Sequence, residues 1–359
     1  MAKIEINTKK FGELEDGREV ILYEMKNKNG MRVDIINYGG IIVRLFVPDR
    51  NGDLDDIVLG YDNLNQYIVD ENYFGALIGR YANRIADAQF ELDGKEYNLD
   101  INEEVSGKGC CLHGGNKGFD SVLWESQINK LNENKALKLT YISKDGECGF
   151  PGNLEVEVYY VLTQDNKLKI EYRAVTDTKT VINLCNHSYF NLKGQSKGNV
   201  LDHLININAD YFTPVNKDMI PTGEIREVRD TPFDFRAINE LAKAINKENK
   251  QLKLTGGFDH NFVLNKGEDD LSLAARVIET ISGRKMEVYT SEPGLQFYTG
   301  NMINTMGHAK ETANYQQRSG FCLETQHYPD SPNQKNFPSV ILEPEDKFRS
   351  ITEFCFDLM

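Results

Sequence analysis

Six histidines are the chain's candidates for proton transfer near neutrality: His113, His187, His203, His260, His308 and His327. An imidazole titrates in that range when unperturbed, so each one moves protons, binds a metal or is satisfied inside a core. His187 lies at the centre of VINLCNHSYFNLKG (181–194), a mostly apolar run that suits a strand. His113 is presented by the glycine-rich GKGCCLHGGNKGFD (107–120), which matches neither the P-loop nor the dinucleotide fingerprint. Glu324 in LETQHYPDSPN and Asp259 in GGFDHNFVL are carboxylates that can partner them, and YANRIAD embeds a cation, Arg84. Taken singly, each has a structural reading. Arg84 and Asp259 can be an ion pair, His187 a satisfied core histidine, and Glu324 a solvated acid at a strand end.

Other chemistries lack their signatures. No HExxH pair occurs, and the three-residue spacing of Glu324 and His327 would share a face only on a helix. Pro329 and Pro332, with no helical periodicity around them, argue against that helix and against a metal site. There is no GxSxG elbow, and Ser188 is adjacent to His187, poor geometry for its own activation. The six cysteines form no CxxC pair and are expected to be free thiols in a reducing compartment.

The elements that must position these residues read as strands. In LEVEVYYVL, Leu154, Val156, Val158, Tyr160 and Leu162 alternate, and Leu168, Ile170, Tyr172 and Ala174 repeat the pattern after QDNK. FELDGKEYNL (90–99) predicts a hairpin on Asp93-Gly94, and LSLAARVIET joins KMEVYT through Ile281-Ser282-Gly283-Arg284 in another. Leu137, Leu139 and Tyr141 alternate, as do Ile205, Ile207 and Ala209. Helical spacing is convincing once, in RAINELAKAINKENK, where Ile238, Leu241, Ala242 and Ile245 would form one stripe. No βαβ alternation is present. The pattern predicts an all-β fold, one large antiparallel sandwich with few short helices, spanning 1–359 as a single domain.

Composition narrows the partners. With 41 Lys and Arg against 55 Asp and Glu, the net charge of −14 repels nucleic acid and anionic membranes. The opening MAKIEINTKKFGELEDG has no apolar core of a secretion signal, and no stretch approaches a membrane span, so a cytoplasmic location is expected.

In combination, these segments resemble the aldose 1-epimerase family, the galactose mutarotases. The likeness rests on GRYANRIADAQF, CLHGGNKGFDSVLWE, NLCNHSYFNL, FTPVNKDMIPTGEI, TPFDFR, GGFDHNFVL, SEPGLQFYTGN and FCLETQHYPDSPNQKNFPSVIL, in the family's order over roughly residues 10 to 350. It implies a galactose mutarotase-like β-supersandwich acting on free aldoses such as galactose or glucose, as a monomer or homodimer. It also implies that His187 is the general acid, Glu324 the general base and His113 a second imidazole near the ring. Asn83, Arg84 and Asp259 would hold sugar hydroxyls, and Gln296 would lie near the anomeric end. Tyr189 and Phe297 are aromatic candidates for the apolar sugar face, though core packing explains them equally well. Departures such as Ser188, where the family often has Thr, touch neither proposed proton-transfer group.

The chemistry fits these roles. Exchanging anomers requires removal of the C1 hydroxyl proton and delivery of one to the ring oxygen. Reference pKa values of about 4.3 and about 6.5 predict an ionised Glu324 beside a part-protonated His187. No redox change or phosphate is involved, so no cofactor and no metal is expected. A sugar-phosphate epimerase would need a basic cluster, and none stands out near the motifs. A non-catalytic sugar-binding sandwich would explain Arg84 and Asp259 but not the acid and base.

Overall fold

The alternating segments pair as their patterns predict. Leu154–Leu162 and Lys167–Thr176 form an antiparallel hairpin whose Val156, Val158, Tyr160, Leu168 and Ile170 are buried. Gln89–Leu92 and Lys95–Asn98 close on Asp93-Gly94, both at positive φ (51° and 76°) as a tight hairpin turn requires. Ser272–Ile278 pairs with Arg284–Thr290, and Asn134–Ser143 pairs on both its sides. The structure, a computed structural model, describes residues 4–267 and 271–359.

These hairpins assemble into a nine-stranded antiparallel sheet. Its order is Glu125–Leu131, Asn134–Ser143, Leu154–Leu162, Lys167–Thr176, Phe348–Leu358, Arg284–Thr290, Ser272–Ile278, Leu204–Ile207 and Asn239–Glu240. A six-stranded antiparallel sheet runs Tyr189–Phe190, Phe321–Gln326, Gly294–Tyr298, Asp259–Leu264, Ala209–Thr213 and Arg226–Glu227. A five-stranded meander covers Glu5–Glu13 to Leu54–Asp56, and a three-stranded sheet joins Glu103–Val105, Lys108–Leu112 and Arg84–Ala86. One continuous apolar cluster draws Val33 and Leu45 from the meander, Leu137 and Val288 from the nine-stranded sheet, and Phe262 and Phe297 from the six-stranded sheet.

Two segments differ from the sequence pattern. The alternation Ile205, Ile207, Ala209 is unbroken, yet the chain changes sheet at Asn208. There the Asn208 side chain donates to the Leu273 and Asn265 carbonyls at 3.0 and 3.2 Å, linking the two sheets. The helix expected over RAINELAKAINKENK is only Leu241–Ile245: Asn239–Glu240 is captured as an edge strand against Leu204–Ile205, and Ile238 is exposed. Leu64–Ile68 and Lys250–Thr255 are helices without a sequence stripe. Helices this short do not hold by propensity alone. Side-chain caps from Asn63 and Asn249, and the left-handed Gly256 after the second, define their ends. Among the described residues, no helix is long and apolar enough to cross a membrane.

Candidate active site

The period-two rule decides which residues of the six-stranded sheet reach the surface above it. Asp259 lies opposite Tyr298, which lies opposite Cys322; Gln296 lies opposite Glu324. These residues share one face. Their neighbours His260, Phe262, Phe297, Phe321 and Leu323 turn the other way and are buried in the core. Phe297 therefore does not flank a ligand. It stacks on Phe258 with ring centroids 5.4 Å apart.

Above the first face lies a cleft of about 640 Å³, lined among others by Tyr73, Asn83, Arg84, His113, His187, Tyr189, Asp259, Tyr298 and Glu324. His187 is fixed by its backbone, which exchanges hydrogen bonds with Ala76 (2.9 Å) and Gly75 (3.0 Å). Its neighbours lock that segment: the Asn186 side chain donates to the Gly75 carbonyl, and the Ser188 hydroxyl donates to Asn186. Glu324 comes from the strand between Tyr189–Phe190 and Gly294–Tyr298. His187 Nε2 and Glu324 Oε2 are 3.7 Å apart, and both side chains are almost wholly buried. Buried thiols touch each of them, Cys185 at Glu324 Oε2 (3.7 Å) and Cys322 at His187 Nδ1 (3.6 Å). All six cysteines are free thiols, as their spacing predicted.

His113 arrives from the glycine loop and is held by Asn83 twice. The His113 amide donates to the Asn83 carbonyl, and the Asn83 amide donates to His113 Nδ1, each at 3.1 Å. Because Nδ1 accepts, a neutral His113 carries its proton on Nε2. Asn83, His113 and Tyr73 all have positive φ (62°, 52° and 58°). Asparagine and histidine tolerate that region, whereas a bulky tyrosine there carries strain of the kind that gathers at functional sites.

Burial reverses the proton assignment that reference pKa values suggest. The Glu324 carboxyl is pushed up to about 8 by burial and then by the Asp259 charge. Burial pulls His187 down to about 4. His113 falls well below its usual value through burial, His187 and Arg84. Near neutrality the ligand-free site therefore keeps one proton for the pair on Glu324, with both imidazoles neutral. The ligating atoms of His113, His187 and Glu324 all lie within 4.8 Å of one another. A transition metal would use such a set, and so would proton transfer.

The expected binding residues fall in two layers. Asn83, Arg84 and Asp259 line the cleft. Gln296 stands behind them, buried, with its amide donating to Asp259 Oδ1 at 2.6 Å, so it acts on the cleft through Asp259. Arg84 does not form its ion pair with Asp259. Its Nε and Nη2 donate to the two oxygens of Glu103 at 2.5 and 2.7 Å. Glu103 and Tyr73 were missed by sequence reasoning. Tyr73 packs against both histidines, with centroids 4.7 Å from His113 and 5.9 Å from His187. Nothing in ENYFG or DINEEVSG signals these contacts, which join residues distant along the chain. The other histidines have structural settings. His203 accepts from the Leu192 amide, His260 contacts Gln251 in the core, His327 pairs with Glu292, and His308 is exposed.

Fold and cleft together define an all-β protein with a buried carboxyl–imidazole pair lining a cleft. Comparison with known proteins is specific. The family model for aldose 1-epimerase matches residues 22–355. Galactose mutarotases from Bos taurus and Homo sapiens are 45% and 44% identical, with 97% of each chain covered. An aldose 1-epimerase from Escherichia coli strain K12 is 36% identical over 95% of this chain and 96% of its own. Among solved structures, galactose 1-epimerase from Lactobacillus acidophilus superimposes with a TM-score of 0.86 at 28% identity, covering 99% of each chain. An aldose epimerase homologue from C. elegans gives 0.85 at 29%, covering 94% of this chain and 99% of its own. The chain belongs to the aldose 1-epimerase family, and its sheets are those of the galactose mutarotase-like supersandwich.

Proposed function

We propose that the cleft opens and recloses the pyranose ring of free aldoses such as galactose and glucose, with Glu324 and His187 exchanging the two protons. As a member of its family the chain is an aldose 1-epimerase, an isomerase acting on sugars. The observation that carries the residue roles is the buried Glu324–His187 pair, 3.7 Å apart at the base of the cleft.

In the ring-opening step Glu324 takes the C1 hydroxyl proton as the C1–ring oxygen bond breaks, and His187 gives a proton to the ring oxygen. The products are the C1 aldehyde and a C5 hydroxyl. Rotation about C1–C2 presents the other face of the carbonyl, and the same transfers in reverse close the ring. The pair therefore acts from the form with Glu324 ionised and His187 protonated. That form has the same proton count as the resting one. A sugar hydroxyl donating to Glu324 stabilises the carboxylate, which in turn favours an imidazolium at 3.7 Å. His113, neutral and carrying its proton on Nε2, suits a fixed donor to a ring hydroxyl. Arg84 and Asp259 hold the remaining hydroxyls while C1 turns. The reaction moves protons only, so it requires no electron carrier or group carrier.

We further propose a single domain spanning 1–359, a cytoplasmic location, and a monomer or homodimer with no nucleic acid or membrane partner. The net charge of −14 supports the last point.

Polarimetry tests the roles. Fresh α-galactose or α-glucose should lose optical rotation faster with the protein than in buffer. Glu324→Gln and His187→Asn should each lower kcat by about 10²–10⁴-fold. Wild-type decay at the buffer rate across several aldoses would overturn the reading.

A further inference from the structure

The cleft carries more charge than proton transfer uses. Besides Asp259 and Glu324 it is lined by Arg84, Glu103, Lys217, Lys253 and the exposed Glu71. Each of these cations already has a carboxylate: Arg84 has Glu103 at 2.5 Å, Lys253 has Glu248 at 2.5 Å, and Lys217 has Asp218 at 3.9 Å. Both lysines are exposed at the rim, where water and salt screen them. The Arg84–Glu103 pair is different. Its side chains are only 11% and 23% exposed, so its charges are felt inside the cleft.

Glu103 takes no part in the proton transfers, yet it is held in place with care. It sits opposite Cys110 in the hairpin Glu103–Val105/Lys108–Leu112, and the Cys110 thiol donates to its Oε2 at 3.2 Å. The same oxygen accepts from Arg84 Nε, and Oε1 accepts from Arg84 Nη2. Two of the five guanidinium N–H donors are thereby spent, and the rest stay free for ligand hydroxyls.

We infer that Glu103 determines substrate specificity: it cancels the charge of Arg84, so the guanidinium serves neutral aldoses as a hydroxyl donor, while Glu103 and Asp259 turn away aldoses bearing a carboxylate, the hexuronates. A guanidinium without a partner in a shielded cleft would bind a sugar carboxylate through charge-assisted, two-pronged hydrogen bonds. With Glu103 present, an entering carboxylate meets two acids and one cation. Discrimination then comes from a built-in repulsion rather than a better fit to the neutral sugar. The inference rests on the mutarotase reading and adds to it the residue that selects by charge.

The test compares kcat/KM for D-galactose and D-galacturonate by polarimetry in wild type, Glu103→Gln and Glu103→Asp. Wild type should prefer galactose by about 100-fold or more. Glu103→Gln should narrow that ratio by at least about tenfold, chiefly through a lower KM for galacturonate, and Glu103→Asp should keep most of it. A Glu103→Gln variant that slows both sugars alike, with the ratio within about twofold of wild type, overturns the inference and leaves Glu103 a strut. If Glu103→Gln does not fold, galacturonate competition against galactose in the wild type decides. Competition at concentrations near the galactose KM overturns the inference, and none at about thirty times that concentration supports it. A wild type inactive on every neutral aldose would overturn the mutarotase reading itself, and this inference with it.

Discussion

At the scale of single residues, the cleft depends on what burial does to two protons. Glu324 at about 8 and His187 at about 4 set the edges of the window in which the pair holds one proton. The kcat/KM profile of the free enzyme should therefore be bell-shaped, falling below about 4 as His187 takes a second proton and above about 8 as Glu324 loses the only one. Reference pKa values would attach the two limbs to the opposite residues. A flat polarimetric profile from pH 4 to 9 would contradict the assignment. The same burial affects stability. Between about 4.5 and about 8 the native state binds more protons at Glu324 than the unfolded chain, so this residue's contribution falls as pH rises. Each unit of such a gap corresponds to about 1.4 kcal/mol. Glu324→Gln, though impaired in catalysis, should melt a few degrees higher than wild type at pH 8, with the gain vanishing near pH 4, read by calorimetry at both pH values.

At the scale of elements, His113 is positioned by backbone. The loop His113-Gly114-Gly115 has φ of 52°, 94° and 99°, and a Cβ on Gly114 would stand 2.0 Å from the Gly79 carbonyl oxygen. Neither that conformation nor that distance tolerates a side chain. Gly114→Ala should push the loop off the Gly79–Arg80 backbone and carry His113 with it. We expect a stability loss of at least about 1–3 kcal/mol from the backbone conformation alone, with a lower kcat where the variant still folds. Urea titration and polarimetry on one preparation separate the two effects. The six-stranded sheet positions Glu324 differently, through strand parity: a one-residue slip of Phe321–Gln326 would bury Glu324 among phenylalanines and aim Leu323 into the cleft.

At the scale of the molecule, buried cations tie sheets and loops together. Arg284, fully buried in the nine-stranded sheet, donates to the carbonyls of Val47, Asp53 and Leu192 and to the Asp55 carboxylate. It links that sheet to the five-stranded meander and to the segment that continues from His187. Lys310 similarly donates to the Val43 and Val58 carbonyls and the Asp56 carboxylate. Arg284→Met would remove the guanidinium from all four, although the Asp53 carbonyl keeps the Asp49 amide, the Leu192 carbonyl the Ser282 hydroxyl and the Asp55 carboxylate Lys197. It should lower stability by about 1–3 kcal/mol, seen as a reduced urea midpoint.

The sequence by itself determined the hairpins, the all-β class and the segments that meet at the cleft, because period-two burial and turn chemistry are local properties. The NHS segment, the LHGG loop and the LETQ strand were legible as candidates since polar groups in apolar strands stand out. Tertiary structure alone decided the rest. It decided that the chain changes sheet at Asn208, that Phe297 faces the core and that Arg84 pairs with Glu103, contacts between residues whose patterns carry no record of each other. It also decided where the proton rests. A pKa depends on how much water a fold removes from around a group, and no spacing of residues along a chain encodes that.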